Sequence, residues 1–293
     1  MNARTVPVCG LLAVSLFVTP AFILGQSKRS KSDENIDAIG HRNIAQGPNN
    51  YSLESEKQVG ENLAKEVAKV SKFVSDPEIM GYLRTVDQNV EQNSDKHIPI
   101  TLHLIDSDTI SAYTLAGGQQ FFTRGLLLRI GSEGELASML ARGIAVTALR
   151  SDTILATKLG LMQISSVPID SAIATAMPNN GLPIAAALET LKMRRDAVFD
   201  ADYFGVQYLY KSGYDPQCFT EFIQRMEHAA KPVSNRFSGY PTLTERLRAL
   251  QHEIADILPK RDEAILTTRE FQQFKERLRN TKSEGVVSRN RGV

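Results

Sequence analysis

Apolar and polar positions begin to repeat at residue 52. Val59, Leu63, Val67 and Val70 recur at helical spacing behind Ser52, a helix-capping residue followed by Glu54 and Glu56, which predicts a first helix with one buried stripe. After VSDP, Asp76 is placed to cap a second helix, with Pro77 at its first position and Ile79, Leu83, Val86 and Val90 on its apolar face. The period then falls to two. Ile98, Ile100, Leu102 and Leu104 alternate with Pro99, Thr101 and His103, as in a half-buried strand. SAYTLAGG and QQFFTRG are two further extended pieces that meet at Gly117-Gly118, so a small antiparallel sheet is expected.

The rest reads as helix. Ser132 and Glu135 have capping-box spacing ahead of Leu136, Met139, Leu140, Ile144 and Thr147. A weaker apolar stretch covers 153–165, a Pro/Gly/Asn loop covers 177–183, and a long helix is expected from about 184 to 211, stopping at Gly213 in SGYDP. Pro216 and Pro241 open two more helices, the second with Leu247, Leu250, Ile254 and Ile257 as its core stripe. The fold class is therefore α+β, mainly α.

The N-terminus is of another kind. After Arg4 the run VPVCGLLAVSLFVTPAFILG is uncharged to Gly25 and gives way to polar QSKRSKSDEN, which describes either a secretory signal or a membrane anchor just long enough to span. The expected division is 1–25 signal peptide or anchor, 26–50 polar linker or disordered arm, 51–260 folded domain, and 261–293 C-terminal helix with a basic flexible tail. The folded part is expected to be exported, periplasmic or membrane-anchored and facing outside the cytoplasm, with membrane contact only through the N-terminal segment.

Charge and cysteine content narrow the chemistry. With 34 Lys+Arg against 33 Asp+Glu there is no electrostatic footprint for nucleic acid. Cys9 lies in the leader, so Cys218 has no partner for an internal disulfide and reads as a small buried apolar residue.

Five ordered blocks carry a resemblance: SLESEKQVGENLAKEV, SDKHIPITLHLIDSDTISAYTLAGGQQFFTRGLL, SEGELASMLARGIAV, ADYFGVQYLYKSGYDP and YPTLTERLRAL. Together, over about residues 50 to 260, they resemble the zinc metallopeptidases of family M48, most nearly the HtpX/BepA/LoiP-like exported bacterial branch. The resemblance implies a gluzincin-like scaffold. It also implies HExxH in the helix after the ELA block, where two imidazoles four residues apart hold zinc and the Glu acts as general base toward a metal-bound water, with a third ligand from the long helix.

Those positions are degenerate here. Arg142 stands at the first ligand position, a permanent cation with no lone pair to offer, and Val146 at the second has no donor atom. Gly143 replaces the general base. Ala201-Asp202 with Gly205 fixes the register of the long helix and puts Val198 at the third ligand position. Where the family has a late His-Pro, this chain has Tyr240-Pro241. Of the five histidines, His41, His97, His103 and His228 read as surface or loop residues. His252 and Asp256 share a helical face in HEIAD, but they lie on a core-stripe helix with no second His nearby.

The expectation is thus a domain of this family without catalytic residues, metal ligands or cofactor. It would be a pseudopeptidase that binds unfolded polypeptide or an envelope partner. An active metalloendopeptidase with unusual ligands, or a structural assembly module, are the alternatives. Asp202, which in the family supports a zinc-bound His, is retained and expected to pair with Arg142. The strand at Gly117, Gly118, Gln119, Gln120 and Phe121 is the expected peptide-binding edge.

Overall fold

The computed structural model describes residues 31–160, 184–229 and 240–281. The leader at 1–25, the start of the linker, the loop at 177–183 and the tail from 284 lie outside the described residues.

Helix α1 (Leu53–Val70) starts where Ser52 accepts the Ser55 N–H, and α2 (Pro77–Gln92) where Asp76 accepts the N–H groups of Glu78 and Ile79. The apolar face of α2 is buried as its spacing predicts, but Val70 at the end of α1 is 86% exposed, so that stripe stops a turn early. Three short strands follow: β1 (Thr101–Ile105), β2 (Ala112–Leu115) and β3 (Gln119–Thr123). Their order is β1-β3-β2, with β2 antiparallel and β1 parallel to β3. The sheet is therefore mixed rather than antiparallel, because the chain re-enters between its two earlier strands.

A short α3 (Arg124–Arg129) leads into α4 (Glu133–Leu149) and α5 (Ser151–Lys158). Then come the long α6 (Ile184–Lys211), α7 (Gln217–Ala229), α8 (Leu243–His252) and α9 (Arg269–Asn280). Helix α4 is buried on nearly every face and packs most extensively on α6, with α2 and α7 on its other sides. Ser132 caps it, but Glu135 does not close the capping box. Its carboxylate accepts the Gly131 N–H at 3.2 Å and takes two bonds from Arg225, at 2.6 and 2.7 Å.

At the first residue of α4, the buried Glu133 carboxylate accepts the hydroxyls of Tyr82 at 2.7 Å, Tyr214 at 2.9 Å and Thr268. Three elements distant in sequence are thereby tied to one helix end.

The segment read as linker or disordered arm is corrected from residue 31 on. Ile39 and Ile44 join the main core, and Arg42 is buried with Asp95 beneath it, at 3.0 Å from Nε and 2.6 Å from Nη2. Arg42 also donates to Gln207, while Tyr208 donates to the same Asp95 oxygen at 2.9 Å. A buried charge holds only where it is paired and hydrogen-bonded, and this one is. The polar composition that suggested an arm is the composition of a buried network. At the other end, Phe271, Phe274 and Leu278 of α9 enter the same core, so the packed body runs past 51–260 on both sides.

Candidate functional site

Helices α4 and α6 approach closely at one glycine. A Cβ on Gly205 would lie 3.2 Å from the Arg142 Cα and 2.9 Å from the Phe219 ring, so only a bare backbone fits there. This contact sets Arg142 and Val146, one turn apart on α4, against Val198 and Asp202, one turn apart on α6. Arg142, Gly143, Val146 and Val198 all line one cavity of about 600 Å³, so the structure brings together every position singled out on these helices.

The chemistry at its base is ionic. Arg142 Nε donates to Asp202 Oδ1 at 3.0 Å, the pair the sequence led us to expect. Arg246 of α8 grips the same carboxylate from the other side, Nε to Oδ2 at 2.6 Å and Nη2 to Oδ1 at 2.8 Å. Burial alone would raise the Asp202 carboxyl, but Arg246 and Arg142 outweigh it and hold it below its ordinary value. Burial pulls the Arg142 guanidinium below its own ordinary value, against the attraction of Asp202.

Arg246 was not identified from the sequence. The available signal was its position, three residues after Leu243 and four before buried Leu250, a cation on the apolar stripe of its helix. Helix α8 is held in place by its own capping box, Thr242 with Glu245, and by the Arg195–Glu245 ion pair at 2.7 Å to α6. Arg195, Thr242 and the helix-end amide together push the Glu245 carboxyl down to about 2, the hydrogen bond from Arg195 contributing most.

The fourth wall is β3. The amide of Gln120 lies against Gly143, where a Cβ would sit 2.5 Å from the amide carbon, and its Nε2 is buried without a hydrogen-bond partner among the described residues. The space that a side chain at 143 would need is already taken.

The peptide-binding edge expected at Gly117, Gly118, Gln119, Gln120 and Phe121 is corrected. Strand β3 is paired on both sides, to β1 and to β2, and all five residues are buried. The two glycines have positive φ (70° and 78°) and lie under backbone: a Cβ would meet the Glu56 carbonyl oxygen at 2.5 Å from Gly117 and the Pro99 oxygen at 2.4 Å from Gly118. Their role is close passage of α1 and of the chain before β1.

Among the described residues the open edge is β2. Thr123 N–H donates to Ser111 O, and in an antiparallel pair bonded residues alternate, so Tyr113 and Leu115 face β3 while the backbone groups of Ala112 and Thr114 point outward. Ala112, Tyr113 and Thr114 line the cavity.

None of the histidines approaches this place among the described residues. His41, His97 and His252 are exposed, and His252 Nδ1 faces Asp256 at 3.5 Å on the surface. His103 stacks on Phe121 with ring centroids 4.4 Å apart and has Nε2 at 2.7 Å from Gln119 Oε1. The side chain of His228 lies outside the described residues. No group of three or more His, Cys, Asp or Glu side chains that could hold a metal ion occurs among the described residues. Cys218 is buried, and burial with the nearby Glu221 and Asp215 pushes its thiol up to about 12.

Residues 80–254 match the model of Peptidase family M48. Among curated proteins, the chain is 24% identical over 193 residues to the "Beta-barrel assembly-enhancing protease" of Yersinia pestis, covering 62% of this chain and 40% of that one. It is 28% identical over 176 residues to the "Putative beta-barrel assembly-enhancing protease" of Vibrio cholerae, covering 54% of this chain and 36% of the relative. It is 23% identical over 231 residues to the "Mitochondrial metalloendopeptidase OMA1" of Schizosaccharomyces pombe, covering 73% of this chain and 65% of that one. The chain thus spans about two fifths of the length of the Yersinia relative.

These matches correct the expectation that the protein takes no cofactor. The family carries zinc, and one relative is named as a metalloendopeptidase, so missing ligands at three positions do not remove metal from the protein's chemistry. The residues at those three positions do not themselves fit a zinc ion. Arg142 is a cation already bound through Nε to Asp202, and the valines at 146 and 198 present only methyl groups. No step is therefore derived through a metal at this place.

Proposed function

The chain belongs to peptidase family M48, and we propose that within it the protein binds extended polypeptide without cutting it. The observation that carries this reading is the Gln120 amide standing in the space beside Gly143. A proton-accepting side chain at that position is what would activate a water for attack on a peptide bond, and Gly143 supplies none, its place being occupied by the end of the Gln120 side chain. Around it, Arg142 and Arg246 share the Asp202 carboxylate at the base of the cavity.

What remains is a place for backbone. The outward N–H and C=O groups of Ala112 and Thr114 can each pair with an added strand, while the cavity beside them takes side chains. Main-chain pairing of this kind reads no particular sequence. The relatives named for β-barrel assembly support a strand-forming envelope protein as the occupant, and the apolar run to Gly25 supports export, as a cleaved or anchored chain, to the compartment where such proteins are met. Among the described residues no helix is long and apolar enough to cross a membrane.

The test uses an unfolded casein-type substrate with the purified chain, with and without added zinc. Binding without new cleavage products is expected in both, and Thr114→Pro should abolish it with thermal unfolding unchanged, because that N–H is outside the β2–β3 ladder. Zinc-dependent cleavage that a chelator stops would replace this reading with that of a metalloendopeptidase using ligands elsewhere, a reading favoured by the relatives' names alone.

A further inference from the structure

Arg142 is incompletely used. Its Nε is fixed on Asp202, but Nη1 and Nη2 make no hydrogen bond among the described residues, and the side chain is 28% exposed, on the cavity. Asp202 also takes two bonds from Arg246, so Arg142 reaches the carboxylate through Nε alone. A second donor lines the same cavity from β3, the Gln120 Nε2, on a residue 3% exposed and without a hydrogen-bond partner for this atom among the described residues. A buried amide donor and a charged one, both unsatisfied, leave a place that an anionic oxygen would complete.

The lining as a whole is not cationic. Asp33, Asp152, Asp196 and Asp200 share it with Arg142, Lys158, Arg194 and Arg246, so the site is defined locally by Arg142 and Gln120 and not by a general positive field. A small recognised group, approached in one orientation, suits that arrangement better than a polyanion.

From this juxtaposition we infer that the cavity recognises the C-terminal carboxylate of a polypeptide laid along β2, with Arg142 as the charged clamp and Gln120 as the neutral donor. The inference rests on the polypeptide-binding reading above and adds which part of the chain is read. Ala112 and Thr114 read only main chain, and the α-carboxylate is the one charged group that main chain itself supplies. It would arrive at the guanidinium when the bound strand ends at the cavity. A strand that continues would place a neutral peptide there and leave the Nη groups without a counter-charge.

Three synthetic hexapeptides of one β-branched composition test it by fluorescence anisotropy: one with a free C-terminus, one amidated, and one amidated with an internal Glu. The free acid should bind on the order of tenfold more tightly than the amide, as a charge-assisted hydrogen bond implies. In Arg142→Met that difference should vanish while the amide still binds, and in Gln120→Leu it should shrink. Arg142→Gln, which keeps a donor toward Asp202, serves if the Met variant does not fold. Equal binding of acid and amide overturns the inference and leaves the polypeptide reading standing. The internal-Glu peptide binding as tightly as the free acid also overturns it, by assigning the clamp to side chains. Failure of all three peptides to bind, with a folded protein, removes the polypeptide reading itself.

Discussion

A side chain at Gly143 collides with Gln120: a Cβ built on the glycine lies 2.5 Å from the amide carbon of residue 120. Helix propensity and packing therefore oppose each other at this position. Alanine would strengthen the helix by about 1 kcal/mol, while overpacking costs about 1–3 kcal/mol. Gly143→Ala should be destabilising in the wild-type background and stabilising when Gln120→Ala accompanies it. Urea denaturation of the four proteins of this cycle should give a coupling of at least about 1 kcal/mol. Additive effects would mean that Gln120 swings aside freely.

Asp202 carries two guanidinium groups, and its replacement should be costly. Asp202→Asn removes the buried carboxylate that both arginines share and is expected to lose about 3–5 kcal/mol. The sign of the pH effect follows from the depressed carboxyl. Its stabilisation is complete above the unfolded value of about 3.9 and is lost as pH falls through the lower folded value. Wild-type stability should thus fall below about pH 4 more steeply than that of the Asn variant. Parallel acid limbs in guanidinium titrations would contradict this.

Residues 31–50 should behave as part of the domain. Arg42→Met strands the Asp95 carboxylate in the interior and should cost about 3–5 kcal/mol, and a chain beginning at residue 51 should not fold. Circular dichroism melting checks both. A truncated chain melting within a few degrees of the full one would show that the network is dispensable.

Cys218 should resist thiol reagents in the native protein. A thiol at about 12 is protonated at neutral pH, and the side chain packs against Gly134, where a Cβ would lie 2.4 Å from its Sγ. Labelling by iodoacetamide at pH 8 should therefore proceed at the rate of unfolding and accelerate with urea in parallel with it. Rapid labelling in buffer alone would indicate a local opening of α7.

Helix caps and apolar faces were legible because they depend on neighbours in sequence: Ser52, Asp76 and Ser132 each cap where expected. The order of the strands was not. Turn chemistry at Gly117-Gly118 announces a close reversal but is silent on which edge β1 takes, and that placement moved the open edge from β3 to β2. The site divided in the same way. Register along α4 and α6 located Arg142, Gly143, Val146, Val198 and Asp202, whereas Arg246 and the wedge of Gln120 arise from packing between elements far apart in the chain. Residues 33–44 were misread because polarity looks the same in solvent and in a satisfied interior network.

The hydroxyls of Tyr82, Tyr214 and Thr268 close on Glu133 at the first residue of α4, whereas the cavity opens beside residues 142 to 146 of the same helix. The keystone and the workshop of this helix are thus about three turns apart. A substitution facing the cavity therefore leaves the three hydroxyls on Glu133 in place, so the helix is anchored at one end by groups that take no part in what its other end binds.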